Sequence, residues 1–160
     1  MTGRDSWRAT PPDWDQSLAQ RSLAEAVGTF ILVGAGTGAV GVASLGGEIG
    51  SPGVAAAFGL GVMIAIFALG HLSGAHLNPA VTLGFWSLGR IGARDTAGYI
   101  AGQLGGAFAA SLGLRAVLGA EADAGVTRPS LVGEGGAMAI EIVLTAVLML
   151  VIVSVATDTR

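Results

Sequence analysis

The sequence predicts an all-α membrane protein with four transmembrane helices and one short helix that enters and leaves the bilayer by the same face. The first observation behind this prediction is a mean hydropathy of +0.70 over 160 residues, 52% of which are apolar. The second is that only 12% of the residues are charged, about half the share found in soluble globular domains. The third is a set of four runs, nearly free of charge, that are long enough to cross hydrocarbon, which takes about 20 apolar residues. A soluble helical bundle is disfavoured because its helices would carry a polar face at helical spacing, which these runs lack.

The charged residues and cysteines narrow the function. The formal net charge is −3, and all eight basic residues are arginine. Such a chain has no basic surface for a phosphate backbone, so we expect the lipid bilayer, and no nucleic acid, among its partners. The lack of cysteine excludes disulfides, thiol catalysis and cysteine-based zinc sites.

A polar amino-terminal segment ends near residue 21, and the transmembrane part of the chain follows it. Residues 1–21 are polar, and we expect them to form a cytoplasmic segment. Residues 22–160 are expected to form the transmembrane domain. Its first span lies at about residues 23–45 and contains one charged residue, Glu25.

The next charge-free run, residues 49–89, is 41 residues long and decides the topology. The first half of this run forms a span at residues 53–72, and a polar loop follows the span. Ten or eleven apolar residues then remain before Arg90. As a helix they reach about 15 Å, half the thickness of the bilayer core. We therefore expect residues 78–89 to form a re-entrant half helix.

Asn78 and Pro79 are typical of a helix start, because Asn is a favoured N-cap and Pro is favoured at the first helical position. A half helix that begins there would place its positive dipole end near the middle of the membrane. Irregular backbone at that depth is tolerated where it is buried in protein or lines a water-filled path. The sequence thus indicates an aqueous pathway in which the Asn78 amide binds a polar solute, the alternative being an ordinary loop with a surface helix.

The third and fourth spans are expected at residues 96–115 and 136–157. Arginine placement orients the chain, because cytoplasmic loops carry an excess of basic residues. With a cytoplasmic amino terminus, six of the eight arginines lie inside, with Trp86 and Tyr99 beside them as interfacial aromatics. Those six are Arg4, Arg8, Arg21, Arg90, Arg94 and Arg160.

Residues 73–82, Ser-Gly-Ala-His-Leu-Asn-Pro-Ala-Val-Thr, closely resemble the first Asn-Pro-Ala loop of the aquaporin (major intrinsic protein) family. Residues 24–30 resemble the first-helix signature of that family, and residues 99–107 resemble its third helix. The resemblance covers roughly residues 23–157. It implies an aquaporin-like fold, a passive channel rather than an enzyme, no cofactor, a multi-pass protein of the cell inner (plasma) membrane, and a homo-oligomer, namely a tetramer.

The resemblance also implies roles for individual residues. The pore motif comprises Asn78, Pro79, Ala80 and Val81. The lining of the pathway comprises the aromatic ring of Phe58 and the backbone carbonyls of Gly74, Ala75 and His76. The residues that support the loops are Glu25, Glu141 and Gln103. Phenylalanine at position 58 resembles the water-selective members, so we expect water as the solute, with glycerol or another small neutral solute as the alternative.

A weak internal repeat relates Glu25 to Glu141, which begin the similar strings Glu-Ala-Val-Gly-Thr and Glu-Ile-Val-Leu-Thr. The 53 residues from Glu25 to Asn78 would place a second Asn-Pro-Ala near position 194, beyond Arg160. We therefore expect an incomplete inverted repeat, truncated at its carboxyl end. The alternatives to a conducting channel are a non-conducting fragment and an assembly partner that needs another chain to supply the missing half.

Three other functions have weaker support. Residues 36–41 fit a dinucleotide-binding glycine pattern, but the acid expected about 20 residues later is absent. Ser73 with His71 or His76 could form a hydrolase pair, but no third group orients either histidine. His71, His76 and Glu25 together do not make an adequate set of zinc ligands, so no metal is expected.

Glycines also recur at four-residue intervals, which allows helices to approach closely. The spacing occurs at Gly34/Gly38 and at Gly98/Gly102/Gly106. We interpret these glycines as packing positions.

Overall fold

The computed structural model describes residues 15–122, 125, 126, 129 and 132–156. Within these residues it contains the helices α1 (Leu18–Ser44), α2 (Ser51–Ser73), α3 (Pro79–Ser87), α4 (Ala93–Leu118) and α5 (Glu134–Ala156). The all-α prediction is confirmed, and each predicted span and the half helix corresponds to one of these helices. Most of the segment 1–21 and the end of the fourth span lie outside the described residues, as do Arg4, Arg8 and Arg160.

The chain divides into two compact units, residues 1–125 and residues 126–160. The first unit contains α1 to α4, and the second contains α5. Three helices in the described part of the chain are long and apolar enough to cross a membrane, namely α1, α2 and residues Glu134–Val155 of α5. Helix α4 has 26 residues but is not among them, because Tyr99, Gln103 and its glycines lower its hydropathy.

Local sequence explains where the helices of the first unit begin and end. Helix α1 starts with a capping box in which Ser17 and Gln20 bond each other's backbone N–H groups. Helix α2 has Pro52 in its first turn and is followed by Gly74, which adopts the left-handed conformation (φ 84°) favoured for glycine at a helix end. Helix α3 begins at the cap Asn78, followed by Pro79, as the sequence predicts.

Helix α1 runs antiparallel to α2. Gly28 of α1 faces Ala65 and Leu69 of α2, whereas Gly36, two turns further along α1, faces Phe58. As residue numbers rise along α1, the numbers of the facing residues fall along α2. Helix α2 therefore ends at the end of the unit where α1 begins.

Helix α4 runs parallel to α1, and glycines bring the two backbones together. A Cβ atom at Gly102 would overlap the Ser22 carbonyl oxygen, and one at Gly106 would overlap the Ala26 carbonyl oxygen. The predicted packing role of this glycine series is confirmed at both positions. Gly34, by contrast, has no contact of this kind within 4 Å among the described residues, so its packing role stays a prediction.

Helix α3 lies inside the length of this bundle. Leu77, just before α3, packs against Gly28 and accepts a hydrogen bond from Thr29, eleven residues into α1. At 1.5 Å per residue that level is about 16 Å from the start of α1. Because α4 begins at the end where α1 begins, α3 leads from the middle of α1 back to that end.

The first unit buries polar side chains and exposes apolar ones. Glu25, Ser73 and Thr82 are fully buried, whereas Phe67 is 82% exposed. A polar interior with an apolar exterior is the arrangement expected of a protein whose surroundings are lipid rather than water.

Candidate functional site

The candidate site is the loop between α2 and α3, residues 74–78, which we call the 74–78 loop. Its backbone is unusual, because Ala75 (φ 48°) and Leu77 (φ 54°) adopt left-handed conformations without being glycine. Such a conformation costs about 1–2 kcal/mol for each residue. The 74–78 loop therefore needs partners that hold it in place.

Glu25 of α1 supplies the largest share of these contacts. Its Oε1 accepts hydrogen bonds from the Ser73 hydroxyl (2.7 Å) and the His76 backbone N–H (2.9 Å). Its Oε2 accepts from the Leu77 backbone N–H and from Gln103 Nε2, both at 2.7 Å. Four donors converge on one carboxylate, and hydrogen bonds to an ionised group are the strong ones. The structure thus brings Glu25 and Gln103, two of the residues predicted to support the loops, together at the 74–78 loop.

Leu77 is held on three sides by one face of α1. Besides its N–H bond to Glu25, its carbonyl oxygen accepts from the Thr29 hydroxyl at 3.2 Å. Its side chain is buried and lies where a Cβ at Gly28 would be. Since Glu25 and Thr29 are four residues apart, both point to the same side of the helix.

Thr82 and His76 join the loop to α3 and α4. The Thr82 hydroxyl accepts from Gln103 Nε2 (2.9 Å) and lies 3.2 Å from both the Asn78 carbonyl oxygen and His76 Nδ1. When the Thr82 hydroxyl donates to the Asn78 oxygen, His76 Nδ1 is the donor to Thr82, in the tautomer that carries its proton on Nδ1. The imidazole ring stacks on Phe85, with ring centroids 4.6 Å apart.

Ser73 and Tyr99 fix the point where α2 ends. The Tyr99 hydroxyl donates to the Ser73 carbonyl oxygen at 2.7 Å, and the Ser73 hydroxyl, besides donating to Glu25, accepts the Ala75 N–H at 3.1 Å. The Tyr99 side chain is 0% exposed, so it faces the interior of the first unit, and its interfacial depth stays a prediction. Trp86 is half-exposed.

The sequence predicted no supporting role for four of these residues, namely Thr29, Ser73, Thr82 and Tyr99. A signal for three of them exists in the sequence. Each of these three lies four residues from a residue with a predicted role: Thr29 from Glu25, Thr82 from Asn78 and Tyr99 from Gln103. On a helix this spacing places side chains on one face.

The start of α3 leaves one side-chain donor available. Asn78 Oδ1 accepts the Ala80 backbone N–H at 2.8 Å, which orients the amide and directs Nδ2 elsewhere. Within the described part of the chain, Nδ2 has no protein acceptor. Val81 is 2% exposed, so its side chain packs inside the first unit.

The carbonyl oxygens predicted to line a pathway are also available. Among the described residues, none of the hydrogen bonds uses the carbonyl oxygen of Gly74, Ala75 or His76. Gly74 is exposed, and the other two residues are half-buried. The 74–78 loop therefore combines fixed N–H groups, bonded inward, with carbonyl groups that can accept hydrogen bonds from a solute.

Two further predicted residues, Phe58 and Glu141, have other surroundings. Phe58 is 15 residues before the end of α2, about 22 Å along the helix, with its ring against Gly36 and 39% exposed. Glu141 is an exposed residue of α5 and belongs to the second unit.

The contacts of Ser73 argue against the hypothesis that it is the nucleophile of a hydrolase. Its hydroxyl donates to Glu25, so neither His71 nor His76 takes its proton as a base would. In the described part of the chain, no group of three or more His, Asp or Glu side chains is placed to hold a metal ion.

Comparison with known proteins identifies relatives. The family model described as major intrinsic protein matches residues 14–160. "Aquaporin NIP1-3" of Oryza sativa subsp. japonica is 41% identical over 150 residues, which cover 93% of this chain and 52% of the relative. "Aquaporin NIP1-4" of the same species is 47% identical, covering 89% of this chain and 52% of the relative. "Aquaporin NIP1-1" of Zea mays is 44% identical, covering 88% and 50%. The chain thus spans about half the length of the curated relatives it matches.

Proposed function

The chain belongs to the major intrinsic protein family, the family of the aquaporins, and from that premise we propose that it forms one half of a passive water channel. The members of this family are channels and not enzymes, and the chain is a multi-pass membrane protein. The proposal places the 74–78 loop on the wall of the water path, with α3 as a re-entrant half helix.

The observation that carries the proposal is the position of the free carbonyls. If α1 crosses the bilayer, its residue Thr29, which bonds Leu77, lies near the middle of the hydrocarbon core. Carbonyl groups without partners at that depth cost several kcal/mol each in lipid. A file of water molecules beside Gly74, Ala75 and His76 removes this cost. The conformation of the 74–78 loop is therefore stable in a membrane when the loop faces water.

The chemistry of conduction follows from the same groups. Water donates its hydrogens to the three carbonyls in turn and accepts a hydrogen bond from Asn78 Nδ2 at the start of α3. The amino-terminal end of α3 carries about half a positive charge, which repels cations and protons. A neutral solute passes this point, whereas an ion that must shed its water does not.

The choice of water over a larger solute rests on Phe58. Its half-exposed ring on α2 narrows the path near the opposite end of α1. A ring at this position favours water over glycerol by size. Glycerol or another small neutral solute is the second candidate, and a flux assay with both solutes separates the two.

The proposal includes the surroundings of the chain. The protein lies in the inner (plasma) membrane of the cell, with its amino terminus in the cytoplasm. The functional assembly is a tetramer. Because the curated relatives are about twice as long, the other half of the path comes from residues outside these 160 or from another chain. These 160 residues alone are then inactive.

A thiol-accessibility experiment tests the wet path without requiring conduction. The chain lacks cysteine, so single cysteines can be introduced without removing others. In vesicles, Ala75→Cys should react with a charged, membrane-impermeant thiol reagent. The matched control Leu60→Cys, on the exposed apolar face of α2, should not react. Equal protection of both thiols would contradict a water-filled path at the 74–78 loop.

Stopped-flow swelling of vesicles then tests conduction. We expect the 160-residue chain to show the water permeability of lipid alone. Permeability well above that background, and lost in Asn78→Ala, would overturn the inactivity of the isolated half while supporting the channel. Faster glycerol than water entry would replace water with glycerol as the solute.

A further inference from the structure

A series of contacts connects the starts of α1 and α4 to the 74–78 loop through Tyr99. Arg21 and Asp95 form a two-point ion pair, with Nη1 to Oδ2 at 3.3 Å and Nη2 to Oδ1 at 3.2 Å. The Arg21 guanidinium carbon lies 5.9 Å from the centre of the Tyr99 ring, within the range of a cation–π attraction. Asp95 thus fixes Arg21, and Arg21 in turn packs on Tyr99.

The hydroxyl of Tyr99 reaches the last residue of α2. It donates to the Ser73 carbonyl oxygen at 2.7 Å, and both side chains are 0% exposed. The last carbonyls of a helix have no partner within the helix, so this bond satisfies one of them and fixes where α2 ends. Ser73 in turn donates its hydroxyl to Glu25, the carboxylate that holds His76 and Leu77.

We propose that Tyr99 is a positioning residue for the 74–78 loop, and that the Arg21–Asp95 ion pair sets the position of Tyr99. Tyr99 touches no solute in this arrangement and acts through Ser73 and Glu25. The inference rests on the proposed function in one respect, since the position of this loop affects conduction only where the loop lines the path.

Removal of the Tyr99 hydroxyl has a defined consequence. The Ser73 carbonyl loses its donor in a place that water does not reach, so the end of α2 shifts or frays. The Ser73 hydroxyl then no longer sits beside Glu25 Oε1. The left-handed backbone at Ala75 and Leu77 is held by these contacts, so the 74–78 loop opens more often.

Amide hydrogen exchange in the full chain, reconstituted in lipid nanodiscs, tests the inference. The readout is the exchange rate of the His76 and Leu77 amides, both of which donate to Glu25. Tyr99→Phe should raise both rates about fivefold, the factor that corresponds to one net hydrogen bond. Asp95→Asn should raise the same two rates, and Asp95→Glu should keep them at the wild-type level.

Thr96→Val is the matched control. Thr96 is 6% exposed, lies next to Asp95, and donates its hydroxyl to the carbonyl oxygen of Gly92, the N-cap residue of α4, at 2.9 Å. This variant should leave the two amide rates unchanged. Wild-type rates in Tyr99→Phe, or an equal rise in Thr96→Val, would overturn the positioning role. If Tyr99→Phe does not insert into the membrane, the difference in amide exchange rates between Asp95→Asn and Asp95→Glu tests the positioning role instead.

The outcome is independent of whether the chain conducts. Raised amide rates in a chain whose 74–78 loop excludes thiol reagents would support the positioning role and contradict the proposed function. Unchanged amide rates together with an accessible Ala75→Cys thiol would contradict the positioning role and support the proposed function.

Discussion

Leu77 donates its backbone N–H to Glu25 Oε2 across 2.7 Å, although the two residues are 52 positions apart in the chain. The bond joins a carboxylate inside α1 to a residue with a left-handed backbone just before α3. A buried carboxylate costs free energy unless it is fully hydrogen-bonded, and a strained loop costs free energy unless it is held. Each of the two residues therefore stabilises the other, and the stability of the unit depends on both.

Glu25→Gln should destabilise the protein by about 3 kcal/mol, because an amide can replace only one of the two accepting oxygens and leaves buried donors without partners. The free energy of unfolding in detergent, followed by tryptophan fluorescence, measures this loss. The exposed Glu48 offers the control Glu48→Gln, which should change that free energy by less than about 0.5 kcal/mol. Equal stabilities of the two variants would contradict the role of the carboxylate.

Gly106→Ala should destabilise the α1–α4 contact by about 1–3 kcal/mol, because a Cβ there overlaps the backbone oxygen of Ala26, which cannot rotate away. At the neighbouring Gly105, no described residue comes within 4 Å of an added Cβ. Gly105→Ala should therefore stabilise the helix by up to about 1 kcal/mol through helix propensity. Unfolding measurements on the pair should give opposite signs, and a shared sign would place α4 differently on α1.

The sequence predicted the helices well because their signals are local. Charge-free runs gave the approximate bounds of all five helices, and the Asn78–Pro79 pair gave the start of α3. Helix α4 is the instructive case, since its polar residues Tyr99 and Gln103 lower its hydropathy and are both buried. Hydropathy averages over a helix and does not distinguish a polar residue that faces the interior from one that faces outward.

The site was less predictable because its contacts join distant segments. The family resemblance predicts that Glu25 and Gln103 support the loops. The sequence suggests Ser73 only as a possible nucleophile, whereas in the structure its hydroxyl donates to Glu25. The place of Tyr99 near arginines predicts an interfacial aromatic but does not show that its hydroxyl bonds Ser73. One sequence shows which residues share a helix face but not which helix that face meets. The contacts of Phe58 with Gly36 could not be predicted for the same reason.

Asn78 caps α3 through its Oδ1, and the proposed channel gives its Nδ2 a second role as a hydrogen-bond donor to the solute. Asn78→Ala should lose about 1 kcal/mol of stability with the cap, as should the exposed cap variant Ser17→Ala on α1. Asn78→Ser should keep the stability, because serine caps equally well, but it removes the Nδ2 donor. Thermal unfolding of the three variants tests the cap. A loss in Asn78→Ser as large as in Asn78→Ala would mean that the amide nitrogen itself holds the structure together.

The contact between Phe58 and Gly36 should appear as a strong coupling in a double-mutant cycle. A Cβ at Gly36 would overlap the Phe58 ring, so Gly36→Ala should cost about 1–3 kcal/mol in the wild-type background. In the Phe58→Ala background the ring is absent, and the same change should cost nothing or be favourable. The expected interaction energy between the two changes is therefore at least about 1 kcal/mol.

Phe67→Ala is the matched control for that cycle, because Phe67 lies on the same helix and is 82% exposed. Gly36→Ala should keep its full cost in the Phe67→Ala background, since Phe58, and not Phe67, is the ring that a Cβ at Gly36 would overlap. Additive free energies of unfolding for Gly36 and Phe58 would show that the ring does not rest on α1. The ring would then be free to move, and its position could not determine the width of the path for water.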